Sequence, residues 1–377
     1  MGLRLREVQT KFDVRLESTR GLAALIVAGS HGMCVFAASS TDPLTGVFFR
    51  YTNPAAAVFY FFVLSGYVLG RSFERSPSYV PFIVRRVFRI LPLFIFSVLV
   101  AFAVKQVWRP DFAALGASSG FIQLNPELEL RDIWDNLLFR NSKVNGPSWS
   151  IYPELLGSLL LPPLIYLHAK IPSRFEWLLF VVAIPLLALS PAKIAIWFYV
   201  GYWLPPRIAP LLRNSAWLRL GAFVIGYALV LALAPNSDHT SPRTSIPASL
   251  ACAMIIASIV ATETSATWLA ARPLRFIGRV SYSFYLLHWP ILYVVAIAAL
   301  MLGFPHGHVG NLMVCFLSIA ACLLVSALSY EYMERPFMRL GSSLTGRADA
   351  AAGTSIDRKS SSDARPALQG APLDANR

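Results

Sequence analysis

Long apolar stretches separated by short charged connections recur along this chain from Gly21 to Tyr330. A helix needs about 20 mainly apolar residues to cross a bilayer, and this length is reached repeatedly. The predicted spans are residues 18–38, 55–73, 90–107, 150–169, 176–190, 192–210, 216–234, 247–263, 280–302 and 311–331. The fifth and sixth nearly abut and also fit a re-entrant pair. The pattern predicts an all-α fold, a polytopic integral membrane helical bundle with about ten transmembrane helices.

Composition supports a membrane protein. Of the 377 residues, 56% are hydrophobic and only 14% are charged, whereas soluble proteins carry about 25% charged residues. The net charge of +13 is concentrated in the connections that face the cytoplasm when the N-terminus is placed inside. This distribution predicts a protein of the cell (plasma or inner) membrane, in contact with membrane lipids, with both termini cytoplasmic. Nucleic acid is not an expected partner.

The same pattern divides the chain into two parts. Residues 1–340 are predicted to form one transmembrane domain, and residues 341–377, which lack apolar periodicity, a disordered cytoplasmic tail. An outer loop at residues 107–148 is unusually long, as functional or flexible loops are. The four cysteines are scattered without metal-ligand spacing, so neither a metal site nor a disulfide framework is predicted.

Arg20 and His31 form the first candidate pair of functional residues. Eleven residues are close to three helical turns, so the two side chains share one helix face, roughly 16 Å apart along the axis. Ionisable groups within membrane spans are costly, which favours a functional role. From these residues alone, two structural alternatives stay open: Arg20 as an interfacial anchor, and His31 bonded to a neighbouring helix.

Arginines gather at the cytoplasmic end of the third predicted span. Arg85, Arg86 and Arg89 present guanidiniums that can grip a phosphate through paired donors, which indicates a phosphorylated cytosolic ligand. The alternative is ordinary positive-inside charge that binds anionic lipid. Glu334, at the end of the last span, is predicted to join a charge cluster with cytoplasmic arginines.

Two more polar features lie within predicted spans. Glu154 sits about one turn into the fourth span from the outside, where it can act as a base, bond substrate hydroxyls or pair with an arginine of the bundle. Ser281, Tyr285 and His288 are spaced to share one face of the ninth span. Pro290 is expected to kink that span and free a backbone carbonyl.

The order of these motifs resembles the membrane acyltransferase-3 family, which includes bacterial O-acyltransferases of polysaccharides, lipid-linked sugars and macrolides. The resemblance extends from about residue 12 to residue 340. Glu17 stands where the family usually has Asp, and Leu155 where a second acidic residue is common. The matching segments are Leu16-Glu17-x-x-Arg20-Gly21 with His31, Phe61-Phe62-Val63-Leu64-Ser65-Gly66-Tyr67, Arg86-x-x-Arg89, Trp149-Ser150-x-x-x-Glu154, Ser281-Tyr282-Ser283-x-Tyr285-Leu286-x-His288-Trp289-Pro290 and Glu334-Arg335-Pro336-Phe337.

This resemblance implies a coenzyme A thioester, expected to be acetyl-CoA, as a co-substrate taken from the cytosol, with no permanently bound cofactor. Arg86 and Arg89 would hold its phosphates, and Arg20 would guide it inward. The implied acceptor is a hydroxyl of a carbohydrate, glycan or lipid-linked sugar, reached from the outside or from the membrane plane.

The resemblance also implies catalytic roles. Acyl transfer to a hydroxyl needs a base, and an imidazole suits that task. His31 is the expected general base, with a transient acyl-imidazole left open. Glu154 and His288 would orient the acceptor or the base.

Two other functions fit a helical membrane protein. The first is a transporter or flippase of a sugar or lipid-linked intermediate, although the sequence shows no internal repeat of the kind many transporters have. The second is a non-catalytic scaffold, which gives no reason for the charged and imidazole groups inside the spans.

Overall fold

The computed structural model describes residues 13–36, 43–188, 194–233 and 241–346. In these ranges all regular secondary structure is helical, and the one β-type pairing is an isolated antiparallel bridge between Phe36 and Ala117. The α-helices are α1 (Val14–Gly32), α2 (Pro43–Tyr51), α3 (Pro54–Arg75), α4 (Tyr79–Val107), α5 (Ser119–Leu124), α6 (Leu130–Leu137), α7 (Ile151–Ala169), α8 (Glu176–Ala188), α9 (Ala195–Leu212), α10 (Ala216–Ala232), α11 (Pro242–Val260), α12 (Arg272–Met301) and α13 (His308–Ser329). Short 3₁₀ turns occupy Gly146–Ser150, Ser173–Phe175 and Thr267–Ala270, and a π turn occupies Tyr330–Glu334.

Within the described ranges, six helical stretches are long and apolar enough to cross a membrane. They are Gly46–Arg75, Tyr79–Val107, Gly146–Ala169, Arg243–Val260, Arg272–Met301 and His308–Gly346. Ala216–Ala232 is apolar but shorter. The predicted all-helical membrane fold is therefore confirmed for this part of the chain, while the number of ten spans stays a prediction.

Each predicted span falls on a helix, but several helix ends differ from the prediction. α4 begins at Tyr79, whereas the third span was predicted to begin at residue 90. The arginines between these positions lower the hydropathy, but arginine is a good helix former and the helix runs through them. α1 begins at Val14, where the Asp13 side chain accepts a hydrogen bond from the backbone N–H of Arg15 (3.0 Å). The link between α8 and α9, where a re-entrant turn was considered, lies outside the described residues.

The bundle has two groups of packed helices. α1 lies against α12, α13 and α3, and α12 also contacts α4. On the other side, α3 packs on α9 and α11, α10 packs on α11, and α7 bridges α3, α4 and α9.

Two helix crossings bring backbones into direct contact through glycine. At the α1–α12 crossing, a Cβ added to Gly21 would lie 2.6 Å from the backbone nitrogen of Gly278, and one added to Gly278 would overlap the carbonyl of Glu17. At the α3–α9 crossing, added Cβ atoms on Gly66 and Gly201 would overlap the facing backbone carbonyls. Small residues allow this close approach in membrane bundles.

α7 begins inside the bundle, not at the outer surface where its span was predicted to start. Asn145, just before the helix, donates to Ser97 Oγ in the second half of α4 (3.0 Å) and to the carbonyl of Leu286 at the middle of α12 (3.1 Å). Phe139 stacks on Phe94 with ring centroids 5.2 Å apart. The long loop that precedes α7 therefore folds back between α4 and α12.

The last helix extends beyond its predicted end. After the π turn, helical backbone continues to Gly346, so residues 341–346 are helical and not part of a disordered tail. Arg85 donates to Thr345 Oγ1 (3.2 Å), and a Cβ on Gly341 would lie 2.8 Å from Phe88, so this extension packs along α4. Residues 347–377 lie outside the described residues.

Candidate active site

His31 and His288 lie side by side where α1 and α12 run together. His31 Nδ1 is 3.0 Å from His288 Nε2, and the two rings are nearly parallel with centroids 5.3 Å apart. His288 is 3% exposed, whereas His31 is only partly buried. The sequence placed both residues on polar helix faces, but it did not predict their direct contact.

A backbone carbonyl fixes the proton positions of this histidine pair. His288 Nδ1 lies 2.6 Å from the carbonyl oxygen of Tyr285, which can only accept, so Nδ1 carries the hydrogen. The neutral His288 ring then has a bare Nε2, which accepts from Nδ1–H of His31. His31 Nε2 is left as an unprotonated nitrogen, and none of the described residues hydrogen-bonds to it.

Aromatic side chains surround the histidine pair. Trp289 packs edge-on against His31 with ring centroids 4.9 Å apart. The Phe284 ring is stacked near His288 with centroids 6.3 Å apart, and the Tyr285 hydroxyl donates to the carbonyl of Pro147 (3.2 Å). These contacts hold the imidazoles in an apolar setting, where a hydrogen bond is electrostatically stronger than in water.

Arg20 crosses from α1 to α12, three turns before His31. Its Nε donates to Ser281 Oγ (2.7 Å) and its Nη2 to the carbonyl of Gly278 (3.0 Å). The glycine contact at the α1–α12 crossing brings the helices close enough for these bonds. One helix face of α12 thus contacts Arg20 through Ser281 and His31 through His288, as the shared-face prediction requires.

Arg86 and Glu154 form an ion pair between α4 and α7. Arg86 Nε also donates to Ser158 Oγ (3.1 Å), and the Ser65 hydroxyl donates to the Glu154 carboxylate (3.1 Å). The prediction placed Arg86 at the cytoplasmic mouth and Glu154 one turn from the outer surface, and that separation is wrong. α7 starts deep in the bundle, so its first turn reaches the level of Arg86.

Arg89 is held more loosely than Arg86. Its Nη2 lies 4.0 Å from Glu334 Oε1, and its Nη1 lies 3.9 Å from the sulfur of Met338. Ser283 donates to the other Glu334 oxygen (2.9 Å). The predicted association of Glu334 with arginine is confirmed for Arg89.

Together, these side chains form a charge cluster of Arg20, Arg86, Arg89, Glu154 and Glu334, in which Glu334 is buried and the others are partly buried. The charge of Arg20 interacts with the charges of Arg89, Glu334, Glu17 and Glu154. Arg89, whose Nη2 lies 4.0 Å from Glu334, is the most loosely paired guanidinium of the cluster and is the one best placed to bind an anionic ligand.

The structure divides the six candidate residues between two places. His31 and His288 form the histidine pair, whereas Arg20, Arg86, Arg89 and Glu154 lie in the charge cluster. No hydrogen bond among the described residues joins Glu154 to either histidine. Its contacts therefore match the alternative in which it pairs with an arginine of the bundle.

Several site residues could not be assigned from the sequence. Asn145 donates to the Leu286 carbonyl, which is the oxygen freed by Pro290 four residues later. The freed carbonyl was predicted, but its partner comes from a loop in which asparagine is common and gives no signal. Ser158 has a weak signal, because it lies four residues after Glu154 on the same helix face. Among the described residues, no group of His, Cys, Asp and Glu is arranged to hold a metal ion.

Comparisons with known proteins point in one direction. Residues 13–331 match a family model described as an acyltransferase domain. The chain is 28% identical to the acyltransferase MdmB of Streptomyces mycarofaciens, over 87% of this chain and 92% of that protein. It is 27% identical to the exopolysaccharide production protein ExoZ of Rhizobium meliloti, over 79% and 96% of the two chains. It is 26% identical to an O-acetyl transferase of Shigella phage Sf6, over 85% and 95%. No solved structure matches the chain.

Proposed function

The chain belongs to the acyltransferase-3 family, and on that premise we propose that it is an integral membrane O-acyltransferase. The acyl group, expected to be acetyl, comes from cytosolic acyl-CoA and passes to a hydroxyl of a carbohydrate or glycan-type acceptor. The relative named as an O-acetyl transferase supports the acetyl group, and the relative named for exopolysaccharide production supports a glycan acceptor.

The observation that carries this proposal is the chain of contacts from Tyr285 through His288 to His31. The Tyr285 carbonyl fixes the proton on His288 Nδ1, and His288 Nε2 accepts from His31 Nδ1 at 3.0 Å. This arrangement leaves His31 Nε2 as a base with a fixed orientation. Orienting a histidine through its other nitrogen is what general-base catalysis at a hydroxyl requires.

The reaction proceeds by direct attack on the thioester. The acceptor hydroxyl gives its proton to His31 Nε2 while its oxygen bonds to the acyl carbon, and the carbonyl π electrons move onto the acyl oxygen. The tetrahedral species then collapses, the C–S bond breaks, and the departing thiolate takes the proton from His31. His288 accepts from the imidazolium through Nε2 and so stabilises its charge.

Arginines of the charge cluster bind the donor in this proposal. Arg89, which is held loosely, and Arg86 bind the coenzyme A phosphates, and Arg20 guides the pantetheine arm toward His31. Glu154 positions Arg86. Arg20 and His31 are eleven residues apart on α1. A thioester bound at His31 therefore lies roughly 16 Å along the helix axis from the Arg20 guanidinium.

This route needs the charge cluster at the cytosolic side. We therefore propose a plasma or inner membrane location with both termini in the cytoplasm, as the charge distribution predicts. The acceptor approaches from the outer side or the membrane plane, beside the loop that precedes α7.

A thiol-release assay tests the function. The full chain, in detergent or lipid nanodiscs, is incubated with acetyl-CoA and a panel of glycans and lipid-linked sugars. We expect acceptor-dependent release of free coenzyme A together with transfer of the labelled acetyl group to the acceptor. Kinetics of a ternary complex with both substrates, without labelled protein, supports direct transfer. Ping-pong kinetics with acetyl-histidine contradicts it.

The rival transporter predicts a different outcome when the full chain is reconstituted in sealed lipid vesicles. Movement of a sugar across sealed vesicles without release of coenzyme A contradicts the acyltransferase. His306→Ala is a suitable control for substitutions at His31, because His306 is exposed and its ring packs against Phe36 at a centroid distance of 5.3 Å, away from the histidine pair.

A further inference from the structure

One indole N–H beside the histidine pair is buried without a hydrogen-bond acceptor. In the described part of the chain, the tryptophans with a buried, unpartnered Nε1 are Trp197, Trp203 and Trp289. Trp289 is 3% exposed. Leaving a buried donor unpaired costs free energy, so such a group in a native structure calls for an explanation.

The position of Trp289 sets it apart from the other two. It follows His288 on α12, and its ring packs edge-on against His31 at a centroid distance of 4.9 Å. Gly146 lies against the Cε2–Cζ2 edge of the indole, where an added Cβ would be 3.4 Å from both atoms. Cε2 is bonded to Nε1, so the backbone of Gly146 lies close to the atom that carries the hydrogen.

The proposed reaction creates a group that this donor can serve. When the hydroxyl oxygen bonds to the acyl carbon, the π electrons of the carbonyl move onto the acyl oxygen, and an oxyanion forms. Donors already fixed beside such an oxygen stabilise the transition state without reorganising. His31 Nε2 takes the hydroxyl proton in that step, so the oxyanion needs a donor other than this nitrogen.

We infer that Trp289 donates its indole N–H to the acyl oxygen as that oxygen becomes an oxyanion. This inference rests on the proposed acyltransferase function and names a further catalytic residue for it. When the tetrahedral species collapses, the electron pair returns to the carbonyl, the C–S bond breaks, and the hydrogen bond of Trp289 weakens.

Other unpartnered donors in the described residues do not contact His31. The Ser318 hydroxyl lines a small cavity with His288 but has no hydrogen bond to either histidine, and the Ser329 hydroxyl lies at the end of α13. Arg71 Nε and Arg275 Nε are also buried without an acceptor, but neither residue contacts the histidine pair. Trp203 packs on Trp177 and Phe180, and Trp197 packs on Phe62 and Phe59. Arg20 already donates to Ser281 and Gly278.

The test compares two substitutions that remove the same atom. Trp289→Phe keeps an aromatic ring but loses the N–H, and Trp203→Phe does the same at a buried tryptophan away from the site. For Trp289→Phe we expect kcat to fall about 10²- to 10³-fold, as for the loss of one oxyanion donor, with the KM for acetyl-CoA and for the acceptor nearly unchanged. Trp203→Phe should leave kcat close to the wild-type value.

A binding measurement separates charge stabilisation from packing. A coenzyme A analogue with a tetrahedral, anionic phosphonate in place of the acyl carbonyl should bind Trp289→Phe more weakly by a factor similar to the loss in kcat, whereas coenzyme A itself binds equally. If Trp289→Phe does not insert, replacement of Trp289 by 3-benzothienylalanine, which keeps the ring shape and exchanges N–H for sulfur, gives the same comparison.

Several outcomes overturn the inference. These are a near-wild-type kcat for Trp289→Phe, an equal loss in Trp203→Phe, or a raised acceptor KM at unchanged kcat, which would assign the N–H to acceptor binding. A wild-type protein that releases no coenzyme A with any acceptor refutes the proposed function and this role with it. A wild-type protein that turns over beside an equally active Trp289→Phe refutes only the role of Trp289.

Discussion

The α1–α12 and α3–α9 crossings both bring two helix backbones into contact through glycine, but their other side chains differ. In both, glycines on each helix let the backbones touch, through Gly21 and Gly278 in one and Gly66 and Gly201 in the other. Beyond the glycines, α1 and α12 exchange polar contacts, Arg20 with Ser281 and His31 with His288. α3 and α9 instead stack aromatic rings, with the centroids of Phe62 and Trp197 4.8 Å apart.

The difference indicates that the α3–α9 crossing stabilises the bundle, whereas the α1–α12 crossing forms the candidate site. Aromatic packing at the α3–α9 crossing buries area and needs no ligand to complete it. At the α1–α12 crossing, the contacts of Arg20 and His31 place a guanidinium and two imidazoles in an apolar bundle, which is costly in a protein that only needs to fold. The comparison predicts that changes at the first crossing reduce turnover and that changes at the second reduce stability.

The largest expected effect is that of His31→Ala. Without the base, turnover should fall at least 10²- to 10⁴-fold, the contribution typical of general-base catalysis. Because His31 is only partly buried, the variant should insert at normal abundance and unfold at a temperature close to that of the wild type. Rates of coenzyme A release and membrane abundance are measured together, with His306→Ala as control. Near-wild-type turnover in His31→Ala contradicts the assignment.

Next in size is the effect of a single methyl group at each crossing. Gly278→Ala and Gly201→Ala both force a Cβ against a facing backbone, and overpacking of this kind costs about 1–3 kcal/mol. We expect both variants to lose stability. Among the molecules that remain folded, Gly278→Ala should lose most of its turnover because the histidine contact is displaced, whereas Gly201→Ala should keep it. Specific activity, normalised to folded protein by size-exclusion chromatography, decides between them.

A weaker effect is expected at the charge cluster. Replacing Arg86 and Arg89 together by alanine removes two guanidiniums from the proposed phosphate site. The KM for acetyl-CoA should rise at least tenfold, since one charge-assisted bond contributes about 1.5–3 kcal/mol, while the acceptor KM changes little. Initial rates at varied concentrations of each substrate measure this. Equal losses for both substrates favour a structural or lipid-binding role.

The smallest effect belongs to a region that touches neither crossing. In the loop before α7, the backbone N–H of Glu129 donates to Asp132 Oδ2 (2.9 Å) and the Lys143 ammonium lies 3.3 Å from Oδ1. These contacts hold the pKa of Asp132 below its ordinary value. A depressed carboxylate pKa stabilises the fold at neutral pH, and this contribution is lost as the pH falls below the ordinary aspartate value of about 3.9 toward the folded one.

Asp132→Asn should therefore lower stability at pH 7 by about 1 kcal/mol, a typical hydrogen-bond contribution. The difference from the wild type should disappear as the pH falls below 4. Thermal unfolding followed at several pH values measures both, and turnover at pH 7 should stay unchanged. A stability difference that persists at low pH contradicts the role of the ionised carboxylate.

Much of the fold was predictable because hydropathy and the helical period report directly on it. Arg20 and His31 lie on one face of α1, and Ser281 and His288 face them from α12, as their spacing predicted. The ion pair of Arg86 with Glu154 was not predictable. It depends on where α7 starts in depth, and an apolar run marks the length of a span but not the level at which its helix begins.

The other features that the sequence did not predict depend on tertiary contacts. Asn145 lies in a loop, and nothing in the sequence indicates that it contacts α4 and α12. Trp289 lies in a family motif, but the helical period does not indicate its contact with His31. Residues 341–346 fall within the predicted tail because that segment lacks apolar periodicity, yet they are helical. Their structure comes from packing on α4, which composition does not report.

The late start of α7 has a consequence for the surrounding bilayer. Acyl chains offer no hydrogen bonds, so irregular backbone at membrane depth is tolerated only against protein or water. Val144 and Asn145, just before the helix, have no exposed surface, so protein and not water covers this irregular backbone. The helix can therefore begin within the bundle without bringing the peptide groups that precede it into contact with the hydrocarbon.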